Sequence, residues 1–397
     1  MQFPLIIGAG MTAFGKAPDK SLADLAGAAV QAALADAGIE RGEVEAVFAA
    51  NSVAGVITGQ EAIRGQVSLK AAGIGGVPII NVENACASGS TALHMACAYI
   101  AAGVARVVLV AGYEKMVHTD RTVPFRALEA CSDIEELAAL KAALGPDGAK
   151  RSIFMDYYAD KVNQYFARTG ASARHLAWIA AKNHSNGALN PLAQFRNPQT
   201  AESVLASRGV VAPLTLLMCS PISDGAAALV VVDADWARAR GKSGPQVRAS
   251  VLRSESYATA GSQARDCAMM AYAKAGIVAQ DIDVAEVHDA TAAGELFGIE
   301  DIGLAAPDQG WKLVEEGATA LGGRVPVNPS GGLLARGHPI GATGVAQAVE
   351  LTLQLRGSAG ARQVAGAQVA VAQTAGGQAS FGKTTGAAAM CVTVLAA

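Results

Sequence analysis

The sequence predicts an α/β protein made of two copies of one unit. Segments with helical spacing alternate with short apolar runs, the pattern of parallel sheets covered by helices. Two separate blocks of sequence recur in the same order in both halves of the chain. The composition fits a large packed core: of 397 residues, 51% are apolar and 16% charged, with 44 glycines and 5% aromatics, which leaves no room for a mainly disordered chain.

Residues 3–7 read as a buried strand entering a glycine turn at 8–10. Residues 22–36 are Ala-rich with helical spacing, and Ala37-Gly38 supplies a stop. A strand is expected over 44–50, a helix over 90–102 and a buried strand over 107–110. Residues 218–233 read as a turn followed by another buried strand.

The repeat is the more informative signal. AGIERGEVEAVFAA from Ala37 resembles AGIVAQDIDVAEVH from Ala275, and CASGSTALHMA (86–96) aligns without gaps on HPIGATGVAQA (338–348). Gly89, Thr91 and Ala96 match Gly341, Thr343 and Ala348. At equivalent points, just before a helix, one copy carries Cys86 and the other His338. Packed around a pseudo-twofold axis, the two helix starts converge. A cysteine there is expected to feel the positive helix end, which favours thiolate, and an imidazole beside it exchanges protons or polarises a carbonyl. Residues 114–205 interrupt the pattern with a Tyr- and Phe-rich amphipathic stretch at 153–169 and a Pro/Asn loop, as a substrate-binding insertion would. The expected division is 1–113 for the first half, 114–205 for the insertion, 206–246 for the return to the first half and 247–397 for the second half.

Several function classes are excluded. A net charge of −3 and a pI near 6.1 argue against nucleic acid or an anionic membrane as the main partner. No apolar run approaches the ~20 residues of a membrane span. The N-terminus lacks a secretory pattern, and the six cysteines are scattered, so a reducing cytoplasm is expected, with neither a disulfide framework nor a metal site. The Gly-rich stretches do not form a dinucleotide fingerprint.

NACASGSTALHMA around Cys86 resembles the nucleophile loop of the thiolase superfamily, and NPSGGLLARGHPIGATG (328–344) resembles its second signature. PLTLLMCSPISDGAAALVV and EVHDATAAGELFGIEDIG are closest to the sterol-carrier-protein, or lipid-transfer, branch. The resemblance covers essentially the whole chain. It implies a five-layered α-β-α-β-α fold, a homodimer, and cleavage of a β-ketoacyl-CoA in which Cys86 takes the acyl group and coenzyme A, a co-substrate rather than a resident cofactor, removes it. It further implies that His338 and His288 stabilise the enolate, and that a backbone N–H, here Gly376, completes an oxyanion hole with that of Cys86. Some members of this branch work with a small zinc-ribbon and OB-fold partner.

This chain departs from the family at the second cysteine. Thr374 stands where the C-terminal motif has it, and Ala290 stands where the H-D-C-F motif has it. A Thr hydroxyl is far too weak an acid to replace a thiol, so His338 or His288 is left to move the proton. Thr374 and Asp289 remain candidates for acid–base or supporting roles, Asp289 chiefly as a structural acceptor. The altered motifs and the aromatic insertion suggest a bulky or aromatic substrate, such as benzoylsuccinyl-CoA. A retro-aldol lyase on acyl-CoA and a non-catalytic acyl-CoA or lipid binder stay open. Cys391, Cys97 and His94 read as core, Cys219 as core or cleft lining, and Tyr157, Tyr158 and Tyr165 as acyl contacts or a helix face.

Overall fold

The computed structural model describes residues 3–143, 152–256, 262–380 and 386–397; the end of the insertion's 124–148 stretch therefore lies outside the described residues. The strands are β1 (Leu5–Met11), β2 (Ala46–Ala50), β3 (Ile79–Val82), β4 (Val107–Glu114), β5 (Gly209–Val211), β6 (Leu214–Thr215), β7 (Gly225–Val232), β8 (Gln246–Ser254), β9 (Val284–Glu286), β10 (Val369–Gly376) and β11 (Ala389–Ala396). Apart from the β5–β6 ribbon they follow one order, β3-β2-β4-β7-β1-β8-β11-β10-β9. The halves meet at a single β1–β8 residue pair, Leu5 with Gln246. Outward from that point five strands follow on one side and four on the other. Pairing is parallel only towards the edges, in β3–β2–β4 and β9–β10. It is antiparallel in β4–β7–β1 and in β8–β11–β10, so the expectation of parallel sheets is corrected to mixed ones.

The layers follow from which faces are apolar. The helix Leu22–Ala37, capped by Ser21 and ended by Gly38 in the left-handed region, places Leu25, Ala29 and Val30 against Val47, Leu109 and Val230 of the first half. Two helices, Ser88–Ala101 and Ile340–Leu355, fill the space between the halves. Their Leu93, Val345 and Val349 touch Phe48 and Leu229 on one side and Val284 and Leu395 on the other. Gln263–Ala275 and Ala173–Leu189 cover the far face of the second half. The result is α-β-α-β-α. In Ile340–Leu355 every residue except Leu353 is buried, as a helix between two sheets must be.

Gly8 and Gly10 do not form the expected turn; they continue β1. A Cβ at either would run into the backbone around Ala33 of the covering helix, so these glycines serve close strand–helix packing. The two central helices are equally close: a Cβ at Gly89 would lie 2.8 Å from the Val345 nitrogen.

Candidate active site

Cys86 sits in a tight turn, Ala85–Ala87, directly before the helix Ser88–Ala101. Ala85 adopts φ +47°, a conformation costly for a residue with a Cβ. It is held there by its N–H on Glu83 Oε1 at 2.6 Å and by its carbonyl accepting from Ser88 Oγ at 2.6 Å. The turn thereby aims the thiol out of the helix end and into a cavity of about 670 Å³.

His338 comes from the equivalent point of the second half. Its loop is pinned from several sides: Arg336 pairs with Glu286 at 3.0 Å, Asn186 and Asn190 donate to the Asn328 and Ser330 carbonyls, and His338 N–H donates to Ser223 Oγ at 2.9 Å. The ring is oriented by Thr343 one helical turn on. Thr343 Oγ1 donates its only proton to the Pro339 carbonyl at 3.0 Å, so at 2.7 Å from His338 Nδ1 it accepts. This fixes the Nδ1–H tautomer and leaves a lone pair on Nε2.

His288 follows β9, with its N–H on Gln373 Oε1 at 2.9 Å. Its ring lies edge-on to that of His338, centroids 5.2 Å apart. Cys86 Sγ and one nitrogen of each histidine all lie within 4.8 Å of one another. Burial pushes His288 down to about 4; burial, then His288 and Arg336, pushes His338 well below the ordinary value. Both imidazoles are thus neutral near pH 7. The expectation of a helix-stabilised thiolate is corrected: burial, then the neighbouring Cys131 thiol, pushes Cys86 well up. Backbone N–H groups of Gly377 and of Cys86 itself pull the other way and lose. At rest Cys86 is therefore a thiol, and a thiol becomes a good nucleophile only where a base can take its proton.

The other expected residues lie elsewhere. Gly376 is committed to the β10–β11 ladder opposite Ala389 and packs against the Asn84 carbonyl; the N–H facing the sulfur belongs to Gly377, which lines the cavity. Thr374 points to the central layer, accepting from Ser90 Oγ at 2.8 Å and donating to Gln347 Oε1 at 2.5 Å. Asp289 is fully buried and accepts from the N–H groups of Leu333 and Leu334 and from Asn183, so it shapes the loop leading to His338. Ala290 lines the cavity without a proton to give. Cys219, Tyr157, Tyr158 and Tyr165 also line it, whereas Cys391 is buried in β11, Cys97 packs against the central core, and His94 binds the Ser250 carbonyl at 3.1 Å.

Sequence reasoning missed four contributors: Cys131, Gly377, Gln373 and Thr343. Thr343 had a signal, its match to Thr91 across the repeat, while Cys131 had none, being brought in by a loop far along the chain. It also missed that Cys86, His288 and His338 converge closely enough to hold a divalent cation; scattered sequence spacing hides such a grouping.

A thiol with an imidazole base on one side and backbone N–H groups on the other is the equipment of an enzyme that passes acyl groups through sulfur. The thiolase N-terminal domain profile matches residues 5–235 and the thiolase C-terminal domain-like profile matches residues 244–385. The chain belongs to the thiolase family. It is 38% identical over 371 residues to an acetyl-CoA acetyltransferase of Methanothermobacter thermautotrophicus, covering 92% of this chain and 94% of that one. It is 37% identical over 387 residues to sterol carrier protein 2 of Bos taurus, covering 92% and 68%. Among solved structures it shares its fold with an Ltp2–ChsH2(DUF35) aldolase, TM-score 0.79 at 23% identity over 100% of this chain and 98% of that one. Human mitochondrial 3-ketoacyl-CoA thiolase in complex with CoA gives a TM-score of 0.72 at 17% identity over 100% and 98%. These relatives make it an acyltransferase enzyme of the thiolase type. Among the described residues no helix is long and apolar enough to cross a membrane.

Proposed function

We propose that this protein cleaves a β-ketoacyl-CoA with coenzyme A through an acyl thioester on Cys86. The observation that carries the reading is the convergence of Cys86 Sγ with His288 and His338 nitrogens within 4.8 Å, at the end of a large cavity. His338 Nε2 takes the Cys86 proton as sulfur attacks the keto carbon. The tetrahedral oxyanion is met by the N–H groups of Cys86 and Gly377. When the carbon–carbon bond breaks, its electron pair becomes a thioester enolate, whose oxygen is met by His288 and the newly protonated His338. Coenzyme A then attacks the acyl thioester and restores the thiol.

The substrate carries a bulky or aromatic acyl group, and benzoylsuccinyl-CoA fits that description. Supporting this, the cavity wall includes Phe154, Tyr157, Tyr158 and Phe297, two of them stacked edge to face at 5.9 Å. Residues 114–205 are the substrate-binding insertion between 1–113 and the returning 206–246, with 247–397 as the second half. The working form is a cytoplasmic homodimer. A small zinc-ribbon/OB-fold partner belongs to the proposal, supported by the aldolase neighbour, which is itself a complex with a DUF35 protein.

Intact-protein mass spectrometry after incubation with a panel of acyl-CoAs tests this directly. An acyl-sized mass increase mapped to Cys86, absent in Cys86→Ala, is expected. Carbon–carbon cleavage without added CoA and without an adduct would replace the reading with a retro-aldol lyase, and binding without either reaction would replace it with a carrier.

A further inference from the structure

Cleavage as written leaves a carbanion carbon that must receive a proton, and the following step must take one from the coenzyme A thiol. Neither histidine is free for this. His338 holds Nδ1–H on Thr343, and on the proposed chemistry its Nε2 serves Cys86. His288 Nδ1 is buried with no partner among the described residues, so it has no solvent or side chain from which to renew a proton, and Nε2 is the nitrogen that meets the enolate oxygen. Thr374 is turned away and Ala290 has nothing to give.

One other thiol borders the same space. Cys131 follows the helix Thr122–Glu129 and lines the cavity together with Cys86. Both pack on one small cluster made by Val53, Met116, Ala127 and Ile340. Cys131 is tied to the strand end that faces the nucleophile: its carbonyl accepts from Gln378 N–H at 3.0 Å, and Asp133 N–H donates back to the Gln378 carbonyl at 3.2 Å. Between them sits Gly377 at φ +66°. A Cβ there would touch the Cys131 carbonyl oxygen at 2.8 Å and Ala85 Cβ at 3.4 Å, so the two cysteine segments are separated by little more than one glycine. The side-chain environment suits an acid. Ser52 Oγ lies 4.0 Å from its sulfur, and burial pushes the thiol up to about 12, which keeps it protonated until a stronger base appears.

Resting on the function proposed above, we propose that Cys131, supplied by the insertion, is the catalytic acid–base that protonates the enolate carbon and then deprotonates coenzyme A. The S–H proton of Cys131 moves to the enolate carbon as the new acyl-CoA forms. The resulting thiolate takes the proton of the incoming CoA thiol, which attacks the Cys86 thioester. Cys86 leaves as thiolate and regains its proton from His338. No oxidant or other co-reactant is consumed.

The test separates the two halves of the reaction. Cys131→Ser is nearly isosteric, and its fold is checked by its melting temperature and by whether the Cys86 adduct still forms. Once the Cys86 adduct has formed on long incubation, coenzyme A is added and removal of the adduct is followed by intact-protein mass spectrometry, in the native protein, in Cys131→Ser and in Tyr158→Phe. Expected is adduct removal slowed roughly 100-fold or more in Cys131→Ser, with Tyr158→Phe close to native. Removal within about threefold of native in Cys131→Ser, or its loss in Tyr158→Phe instead, overturns the assignment. Absence of a Cys86 adduct in the native protein fails the proposed function, whereas an adduct that forms and is removed at the native rate in Cys131→Ser fails the Cys131 assignment alone.

Discussion

Replacing Thr343 by Val removes one oxygen and almost no volume, and it tests how His338 is made a base. In the native protein the Thr343 hydroxyl accepts the Nδ1 proton at 2.7 Å because its own proton is spent on Pro339. Without that acceptor two states compete. Either Nδ1–H stays buried and unpaired, costing about 1–3 kcal/mol, or the proton moves to Nε2, which can then no longer receive the Cys86 proton. Since about 1.4 kcal/mol is a factor of ten, acylation of Cys86 should slow roughly 5- to 150-fold. Thr343→Ser keeps the acceptor and should stay near the native rate. The assay is single-turnover formation of the Cys86 adduct by quench and mass spectrometry, with urea unfolding as a check on the fold. A Val variant that is folded and acylates at the native rate would refute the tautomer argument.

Other consequences are equally specific. Asp289→Ala strands the N–H groups of Leu333 and Leu334 and the Asn183 amide, so it should lower stability by at least about 2 kcal/mol, read from urea midpoints. Gly344→Ala drives a methyl into Ser90, whose backbone nitrogen would lie 2.5 Å away; overpacking of this kind costs about 1–3 kcal/mol, measurable by thermal melting, and it should slow acylation because Ser90 shares a helix with the nucleophile turn. Acid should unfold the protein early. His288 falls from an ordinary 6.5 to about 4, so between those values the unfolded chain binds the proton and the folded one does not; this histidine alone should remove about 1.5 kcal/mol between pH 6.5 and 5, with His338 acting in the same direction. A urea midpoint unchanged across that window would contradict the buried neutral pair. The same shifts place the acid limb of acylation below pH 6.5 rather than at it.

The repeat made much of this legible. Matching 86–96 to 338–348 located both central helices and put Cys86 and His338 at corresponding ends, because an apolar helix start leaves a regular trace in sequence. The helices expected over 22–36 and 153–169 appear as Leu22–Ala37 and Ile153–Arg168. Three features left no such trace. Gly8 and Gly10 look like a turn in sequence, and only the helix packed above them shows why they are glycine. The charge state of Cys86 depends on desolvation, which sequence does not report, so burial overrode the helix end. Cys131 reaches the cavity through a loop whose path is set by tertiary contacts with Gly377 and Gln378.

The nucleophile and the base of the proposed reaction, Cys86 and His338, are delivered by opposite halves of the chain, held together through closely packed helices and one shared strand pair. Synthesis therefore makes them at different times. On the proposed chemistry, a ribosome-bound chain that has emitted Cys86 but not yet His338 carries an exposed cysteine with no base beside it. Its thiol has only the reactivity of any free cysteine. Directed acyl transfer arises only when the later half docks and buries the thiol beside its base, so a truncated or half-folded molecule does not turn over substrate.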